Sequence, residues 1–320
     1  MRHDVTAAEA AALLREADRI LILTHQYPDG DTLGSAYALC LALRSLGKQA
    51  QVTCADPIPE KYAYMTDLPE QAFEPAFLCA VDVADPQLLG SLQPLAEQVQ
   101  LCIDHHGTHV RYAAHLMLDA GCAATAMMIY DVVRALGAAV TPAIAECIYT
   151  GIATDTGCFK YANTSAAAHR LAAELMEIGV RYEMINHVMF DMKSRARVEL
   201  ERLALESMRF YYGGRCAVMT ITNEMTAAAH AGENDMEGLA PLPRQIQGVW
   251  VGVTMRQKAD GSYKISVRTD SRADAAAICT LLGGGGHVRA AGCTLEGPTD
   301  DVIARLLETI AAAVPGVIGG

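Results

Sequence analysis

Residues 19–52 read RILILTHQYPDGDTLGSAYALCLALRSLGKQAQV, and the order of textures within them decides the fold. Arg19-Ile20-Leu21-Ile22-Leu23-Thr24 is a short, continuously apolar run of the kind that forms a strand buried on both faces. A polar turn with two aspartates follows, then a helical pattern over about 32–46. A second strand, Gln51-Val52-Thr53-Cys54, comes next. Strand, helix and strand in so short a span form the unit of a parallel sheet.

The alternation continues outward. Ala76-Phe77-Leu78-Cys79-Ala80-Val81 and Val99-Gln100-Leu101-Cys102-Ile103 read as a third and a fourth strand, with helical patterns in the gaps and over 122–136 and 141–152. The N-terminal stretch MRHDVTAAEAAALLREADR reads as an amphipathic helix carrying Asp4, Glu9, Glu16 and Asp18. At 320 residues and roughly 150 per domain, two domains are expected. The pattern predicts an α/β protein with an N-terminal, mostly parallel sheet flanked by helices over 1–192. A charged amphipathic helix over 194–210 reads as a connector within 193–212, and a smaller α/β domain over 213–320 is expected across a cleft. In that second part Cys216-Ala217-Val218-Met219-Thr220-Ile221 is a strand. The runs 249–255 and 263–268 flank Ala259-Asp260-Gly261, a hairpin signal. A helix over 272–282, four glycines, a strand near Cys293 and a helix over 299–314 complete it.

Composition excludes several function classes. With 25 Lys and Arg against 37 Asp and Glu, the net charge is −12, the wrong sign for a protein that coats long nucleic acid. Aromatics make up 6% and Trp250 is the single tryptophan, which argues against an extended base-stacking platform. No run of about 18 apolar residues is present, so no membrane partner is expected. The charged N-terminus does not read as a secretory signal, and a cytoplasmic location is expected. The ten cysteines form no C-x-x-C pair and several lie in apolar runs, so they read as reduced, buried thiols.

The residues with chemistry to offer fall where elements end. His25, Asp29 and Asp31 follow the first strand, Asp82 and Asp85 the third, and Asp104-His105-His106 the fourth; Asp155 follows the helix over 141–152. In an open parallel sheet the carboxyl ends of the strands share one crevice. Singly the pieces are ordinary: Asp29-Gly30-Asp31 suits a turn, and Asp85 before Pro86 suits a helix cap. Together they place several carboxylates and imidazoles in one small region. Such carboxylates raise one another's pKa and do not stay ionised without a compensating cation. One divalent ion leaves the group negative, whereas two nearly neutralise it. Oxygen-rich donors with few histidines favour Mn²⁺ or Mg²⁺ over a closed zinc site. A pair of such ions is a common clamp for displacement at phosphorus.

These residues resemble a known family. His25-x3-Asp29-x-Asp31, Asp82, Asp104-His105-His106 and Asp155 resemble the four motifs of the DHH phosphoesterases. Gly283-Gly284-Gly285-Gly286-His287-x2-Ala290-Ala291-Gly292 resembles the glycine-rich signature of the DHH-associated domain of the first subtype. Nearly the whole chain is covered, and a length without extra domains is most similar to the bifunctional oligoribonuclease (nanoRNase) and phosphoadenosine-phosphate phosphatase group.

The resemblance implies a first metal held by His25, Asp29 and Asp82, and a second held by Asp31, Asp82, His105 and Asp155, with Asp82 shared. The ions are expected to be Mn²⁺, with Mg²⁺ as the alternative. His106 is expected to face the phosphate, with Asp104 orienting an imidazole. Gly284, Gly285, Gly286, His287 and Arg268 are the expected substrate-binding residues. The glycines let backbone N–H groups approach a phosphate, and neither a Walker lysine nor dinucleotide-fold spacing is present. From Pro241 to Gly292 the local charge is positive, which suits an acidic substrate. Two departures stand out: Thr269 follows Arg268 where the family usually has Ser, and Gln87-Leu88-Leu89 stands where an Arg often follows the second motif.

The activity implied is metal-dependent hydrolysis of short oligoribonucleotides of 2–5 nucleotides, of pApA and of 3′-phosphoadenosine 5′-phosphate to mononucleotides, by a chain that pairs as a homodimer. The alternatives are a single-strand exonuclease or an inorganic pyrophosphatase of the same superfamily, or an inactive nucleotide sensor.

Overall fold

The computed structural model describes residues 3–236 and 238–318. The chain divides between Met192 and Lys193 into two compact units, each built on a six-stranded sheet.

The first unit contains β1 (His3–Asp4), β2 (Ile20–Leu23), β3 (Ala50–Thr53), β4 (Phe77–Val81), β5 (Val99–Asp104) and β6 (His115–Leu118). Their order is β1-β6-β5-β4-β2-β3 and every neighbouring pair is parallel. Its helices are α1 (Ala7–Glu16), α2 (Gly30–Ser45), α3 (Ala63–Thr66), α4 (Thr125–Leu136), α5 (Pro142–Asp155), α6 (Ala166–Ile178) and α7 (Tyr182–Asn186). The apolar run of β2 serves two cores at once. Ile20 and Ile22 pack with α1, α2, α4 and α5, while Leu23 joins Leu78, Ala80, Val99 and Cys102 on the opposite face.

Nearly every residue of α2 is buried, and α2 lies against α5 almost backbone to backbone. A Cβ on Gly34 would sit 2.3 Å from the Cys147 carbonyl oxygen. One on Gly30 would sit 2.3 Å from Thr154 Oγ1, and one on Gly151 2.5 Å from Ala126 Cβ. These three glycines set the helix spacing.

Two local expectations are corrected. The N-terminal helix begins only at Ala7, where Thr6 and Glu9 cap each other reciprocally. His3 and Asp4 instead form β1; residues 1 and 2 of that stretch lie outside the described residues. Between β4 and β5, residues 86–98 run as 3-10 turns rather than an α-helix, because Pro94 lies inside and Gly90 adopts φ +58°. Asp85 caps this segment, accepting from Gln87 N at 2.8 Å, and needs no arginine partner to do so.

The second unit holds β7 (Arg209–Tyr211), β8 (Cys216–Ile221), β9 (Val251–Gln257), β10 (Tyr263–Thr269), β11 (Gly285–His287) and β12 (Ala290–Leu295) in the order β11-β12-β10-β9-β8-β7. Only β8 and β9 run parallel among these pairs. Its helices are α8 (Arg195–Glu206), α9 (Asn223–Ala228), α10 (Ala275–Leu281) and α11 (Thr299–Ala313). Ile265, Ile278, Leu306 and Ile310 share one core, and Leu200 and Ala204 of α8 pack with Met219 and Ile221 in another. The expected helix over 272–282 starts late because Asp274 caps it, accepting from Ala277 N. All ten cysteines are free thiols. Among the described residues no helix is long and apolar enough to cross a membrane.

Gly34→Ala is expected to destabilise the protein by about 1–3 kcal/mol, because the added methyl meets backbone rather than a flexible side chain. Urea unfolding of the metal-free protein measures it; an unchanged midpoint contradicts the packing described.

Candidate metal centre

The sheet order reverses between β2 and β4, so their carboxyl ends open into the crevice where α/β proteins bind ligands. His25 follows β2 and Asp82 follows β4. Asp82 holds φ +58°, a left-handed backbone that few side chains besides Asn and Asp adopt. Asp29 is the N-cap of α2, its Oδ1 accepting from Asp31 N and Thr32 N. Asp104 is the last residue of β5, with His105 and His106 in the loop beyond. Helix α5 runs past Ile152, and Asp155 is its last residue.

Two clusters result. His25 Nε2 lies 3.7 Å from Asp29 Oδ1 and 3.7 Å from Asp82 Oδ2. His105 Nε2 lies 3.9 Å from Asp31 Oδ2, 3.8 Å from Asp82 Oδ1 and 3.6 Å from Asp155 Oδ2. These separations are too long for hydrogen bonds and suit donor atoms arranged about a common ion. Asp82 stands between the clusters, one oxygen toward each. His106 lies at the rim, its side chain 46% exposed and Nδ1 3.5 Å from Asp82 Oδ1.

The imidazoles are already turned for this role. His25 Nδ1 meets the Gln26 carbonyl at 2.8 Å, and His105 Nδ1 meets the Cys122 carbonyl at 3.1 Å. A carbonyl only accepts, so each Nδ1 carries the hydrogen and each Nε2 offers a lone pair to the cluster. The carboxylates carry the matching electrostatic signature. Burial, then the charges of Asp82, Asp155 and Asp29, holds Asp31 well above the usual carboxylate range. Burial and the Asp29 charge push Asp82 up to about 6. Burial likewise raises Asp155 against the opposing pull of His105. Hard oxygen and imidazole donors, aspartates that ionise only at a cost, and a donor set free of thiolate together fit divalent cations.

Thr125 and Ala126 escaped the sequence reading. Their N–H groups donate to Asp31 at 2.7 and 2.9 Å, and Thr125 Oγ1 donates to Asp82 Oδ1 at 2.8 Å. The helical pattern was expected to start at 122, which hid Thr125 inside a helix. It is in fact the first residue of α4, whose N-terminal dipole faces Asp31. Asn163, also missed, donates to the Asp155 carbonyl at 3.1 Å and lies in a loop with no motif.

The remaining expected residues lie in the second unit. Arg268, Ala290 and His287 stand opposite one another across β10, β12 and β11, so Arg268 and His287 share one face of the sheet. Gly284 and Gly286 have structural duties there. A Cβ on Gly284 would sit 2.2 Å from the Gly292 carbonyl oxygen, and Gly286 has φ +142° with Ala291 Cα 2.6 Å from a Cβ position. Gly285 alone of the three has open space around it. Thr269 Oγ1 donates to the Val288 carbonyl at 3.0 Å, giving that hydroxyl a role in holding the loop after β11. One of the positive charges in that stretch is paired from outside it, Arg256 with Glu233.

Residues 19–152 match the DHH family, N-terminal domain, and residues 216–315 match the DHHA1 domain. The chain belongs to the DHH family, the metal-dependent phosphoesterases that its motifs resemble. It is 37% identical over 298 residues to the bifunctional oligoribonuclease and PAP phosphatase NrnA of Thermus thermophilus, covering 91% of this chain and 89% of that protein. It is 23% identical to the protein of the same name from Bacillus subtilis, over 87% of this chain and 90% of that one. An exopolyphosphatase-related protein from Bacteroides fragilis shares the fold with a TM-score of 0.87, 22% identity and 97% coverage of both chains.

A carboxyl whose folded pKa is raised binds protons that the unfolded chain has released, so its contribution to stability is lost as pH rises. For Asp82 that window runs from 3.8 to about 6. Metal-free Asp82→Asn is therefore expected to gain in melting temperature over the metal-free parent across this window, while losing most of the rise that Mn²⁺ gives the parent. Thermal melts in chelator and in Mn²⁺ measure both; a variant that tracks the parent throughout contradicts the charge cluster.

Proposed function

We propose that the protein is a Mn²⁺-dependent phosphoesterase that hydrolyses oligoribonucleotides of 2–5 nucleotides, pApA and 3′-phosphoadenosine 5′-phosphate to mononucleotides. The observation that carries the reading is the position of Asp82, within 3.8 Å of an imidazole in each of two donor clusters. The substrate class is supported by the names of the relatives that span most of the chain.

His25, Asp29 and Asp82 would hold one cation, and Asp31, Asp82, His105 and Asp155 the other. When bound, two divalent cations supply an activated water and neutralise charge developing on the phosphoryl group. The chain's own residues do the rest. Asp104 accepts from His106 Nδ1 at 2.8 Å, and this bond, with the nearby Asp82 charge, lifts His106 to about 9. In the metal-free protein this favours the imidazolium, whose Nε2–H would donate to a phosphoryl oxygen. Thr125 and the α4 N-terminus keep Asp31 and Asp82 oriented before any cation arrives. In the second unit, Arg268 and His287 would bind phosphate from their common sheet face, with Gly285 leaving backbone unobstructed. Ten free thiols suit work in a reducing compartment.

Chromatographic product analysis with and without Mn²⁺ tests this on pApA, phosphoadenosine phosphate, a long RNA strand, cyclic di-AMP and pyrophosphate. The expected result is metal-dependent AMP from the first two, with the long strand and pyrophosphate nearly untouched. Rapid pyrophosphate hydrolysis or equal attack on the long strand overturns the substrate class, and no turnover at all points to a sensor. His106→Ala is expected to lower kcat on pApA about 100-fold or more while retaining Mn²⁺ binding by calorimetry.

A further inference from the structure

On the side of Asp104 away from His106, a polar group is packed into the apolar core around Leu23, Val83 and Leu89. Cys102, Asp104 and the His109 side chain are fully buried, and the Tyr112 ring stacks on His109 with centroids 5.4 Å apart. Asp104 Oδ1 accepts from both the backbone N and the Nδ1 of His106, each at 2.8 Å. Its Oδ2 is buried with no hydrogen-bond partner. A buried carboxylate oxygen left open is costly, and its neighbours decide what it is for.

Cys102, Asp104 and His109 have donor atoms close enough together to suggest a metal site. The ring orientation rules this out. Arg111 N donates to His109 Nδ1 at 2.8 Å, so Nδ1 offers its lone pair to that N–H. The neutral ring then carries its hydrogen on Nε2, the nitrogen that faces Cys102 and Asp104, and a protonated nitrogen cannot bind a metal. Arg111 holds a left-handed backbone, φ +57°, in presenting this N–H, and strain of that kind persists only where the surroundings enforce it. His109 Nε2 lies 3.4 Å from Cys102 Sγ and 3.9 Å from Asp104 Oδ2.

We propose that His109 is a positioning residue for the reaction: Arg111 N fixes its tautomer, its Nε2–H meets Cys102 Sγ at 3.4 Å and lies 3.9 Å from the open oxygen of Asp104, and the carboxylate so held keeps His106 Nδ1 engaged and its Nε2 outward. At 3.9 Å the contact is a charge–dipole attraction rather than a hydrogen bond, and full burial of both side chains spares it the screening of bulk solvent. The Cys102 thiol shares the same N–H, and Tyr112, whose hydroxyl lies 3.6 Å from Cys102 Sγ, covers the ring. The proposal rests on the reading of His106 as the phosphate-facing group.

Two isosteric variants separate positioning from simple packing. In His109→Gln the amide nitrogen falls where Nε2 was and keeps a donor toward Asp104. In His109→Asn the amide reaches only the Nδ1 position, satisfying Arg111 N but leaving Asp104 without its donor. With pApA and Mn²⁺, His109→Asn is expected to lower kcat about 10- to 100-fold with little change in KM, while His109→Gln stays within about threefold of the parent. In the metal-free protein, the downfield proton resonance of His106 Nδ1–H should persist in the parent and His109→Gln and broaden away in His109→Asn. Thermal melts of both variants accompany these measurements.

Parent-like kcat and an intact His106 resonance in His109→Asn overturn the proposal. So do equal losses in both variants that track their melting temperatures. If His106→Ala itself turns over normally, the underlying reading of His106 fails instead, whatever the His109 variants do.

Discussion

The contact between α2 and α5 is the constraint on which the candidate centre depends. The two helices approach closely enough that Gly30 and Gly34 have no room for a Cβ, and Gly151 is closed off by Ala126 of α4 and by Asp31. That approach brings Asp31, in the first turn of α2, beside Asp155, at the end of α5, and lets α4 present its N-terminus to both Asp31 and Asp82. A wider helix pair would still fold around an apolar interface, but its carboxylates would be separate surface groups. The glycines buy proximity of charge at the expense of backbone entropy. Asp29 shows the same economy, since one oxygen both caps α2 and faces His25.

The centre is organised before anything binds. Backbone carbonyls orient two imidazoles, backbone N–H groups orient Asp31, and Asp31 and Asp82 sit above the usual carboxylate pKa. Unfavourable charge is thereby concentrated where a cation relieves it, so binding energy comes partly from repulsion already present in the fold. Cations need not assemble the site, only neutralise it.

Much of this was legible in the sequence because each of the motif residues sits at the end of an element, where a texture change marks it. Strands β2, β4 and β5 announced themselves as apolar runs buried on both faces, and the edge strand β3 as a shorter mixed run after α2. Strands β1 and β6 did not: two residues in one case and His115-Leu116-Met117-Leu118 in the other give no periodicity to read. Thr125 was hidden by a helix start placed three residues early, and His109 by a buried role that leaves no spacing pattern. The glycine-rich segment was read as open to a ligand throughout, yet Gly284 and Gly286 are needed first by the β11–β12 pairing. The local positive charge was overcounted because a sequence window does not reveal the pairing of Arg256 with Glu233 outside it.

The pairing of β1 with β6 bears on how the first unit is made. His3 registers with His115 and Asp4 with Leu116, so an early segment completes the sheet beside one of its later strands. At about 5–20 residues per second, β1 leaves the ribosome roughly ten seconds before β6 exists. Through that interval α1 lacks α4, the helix whose Ala135 carbonyl its Arg15 will bond. The nascent chain therefore carries an apolar arm with nowhere to dock, and when β6 forms, its free edge waits for that arm to return. In the order of synthesis, the β1 edge of the sheet is thus closed only after residues 115–118 have been made.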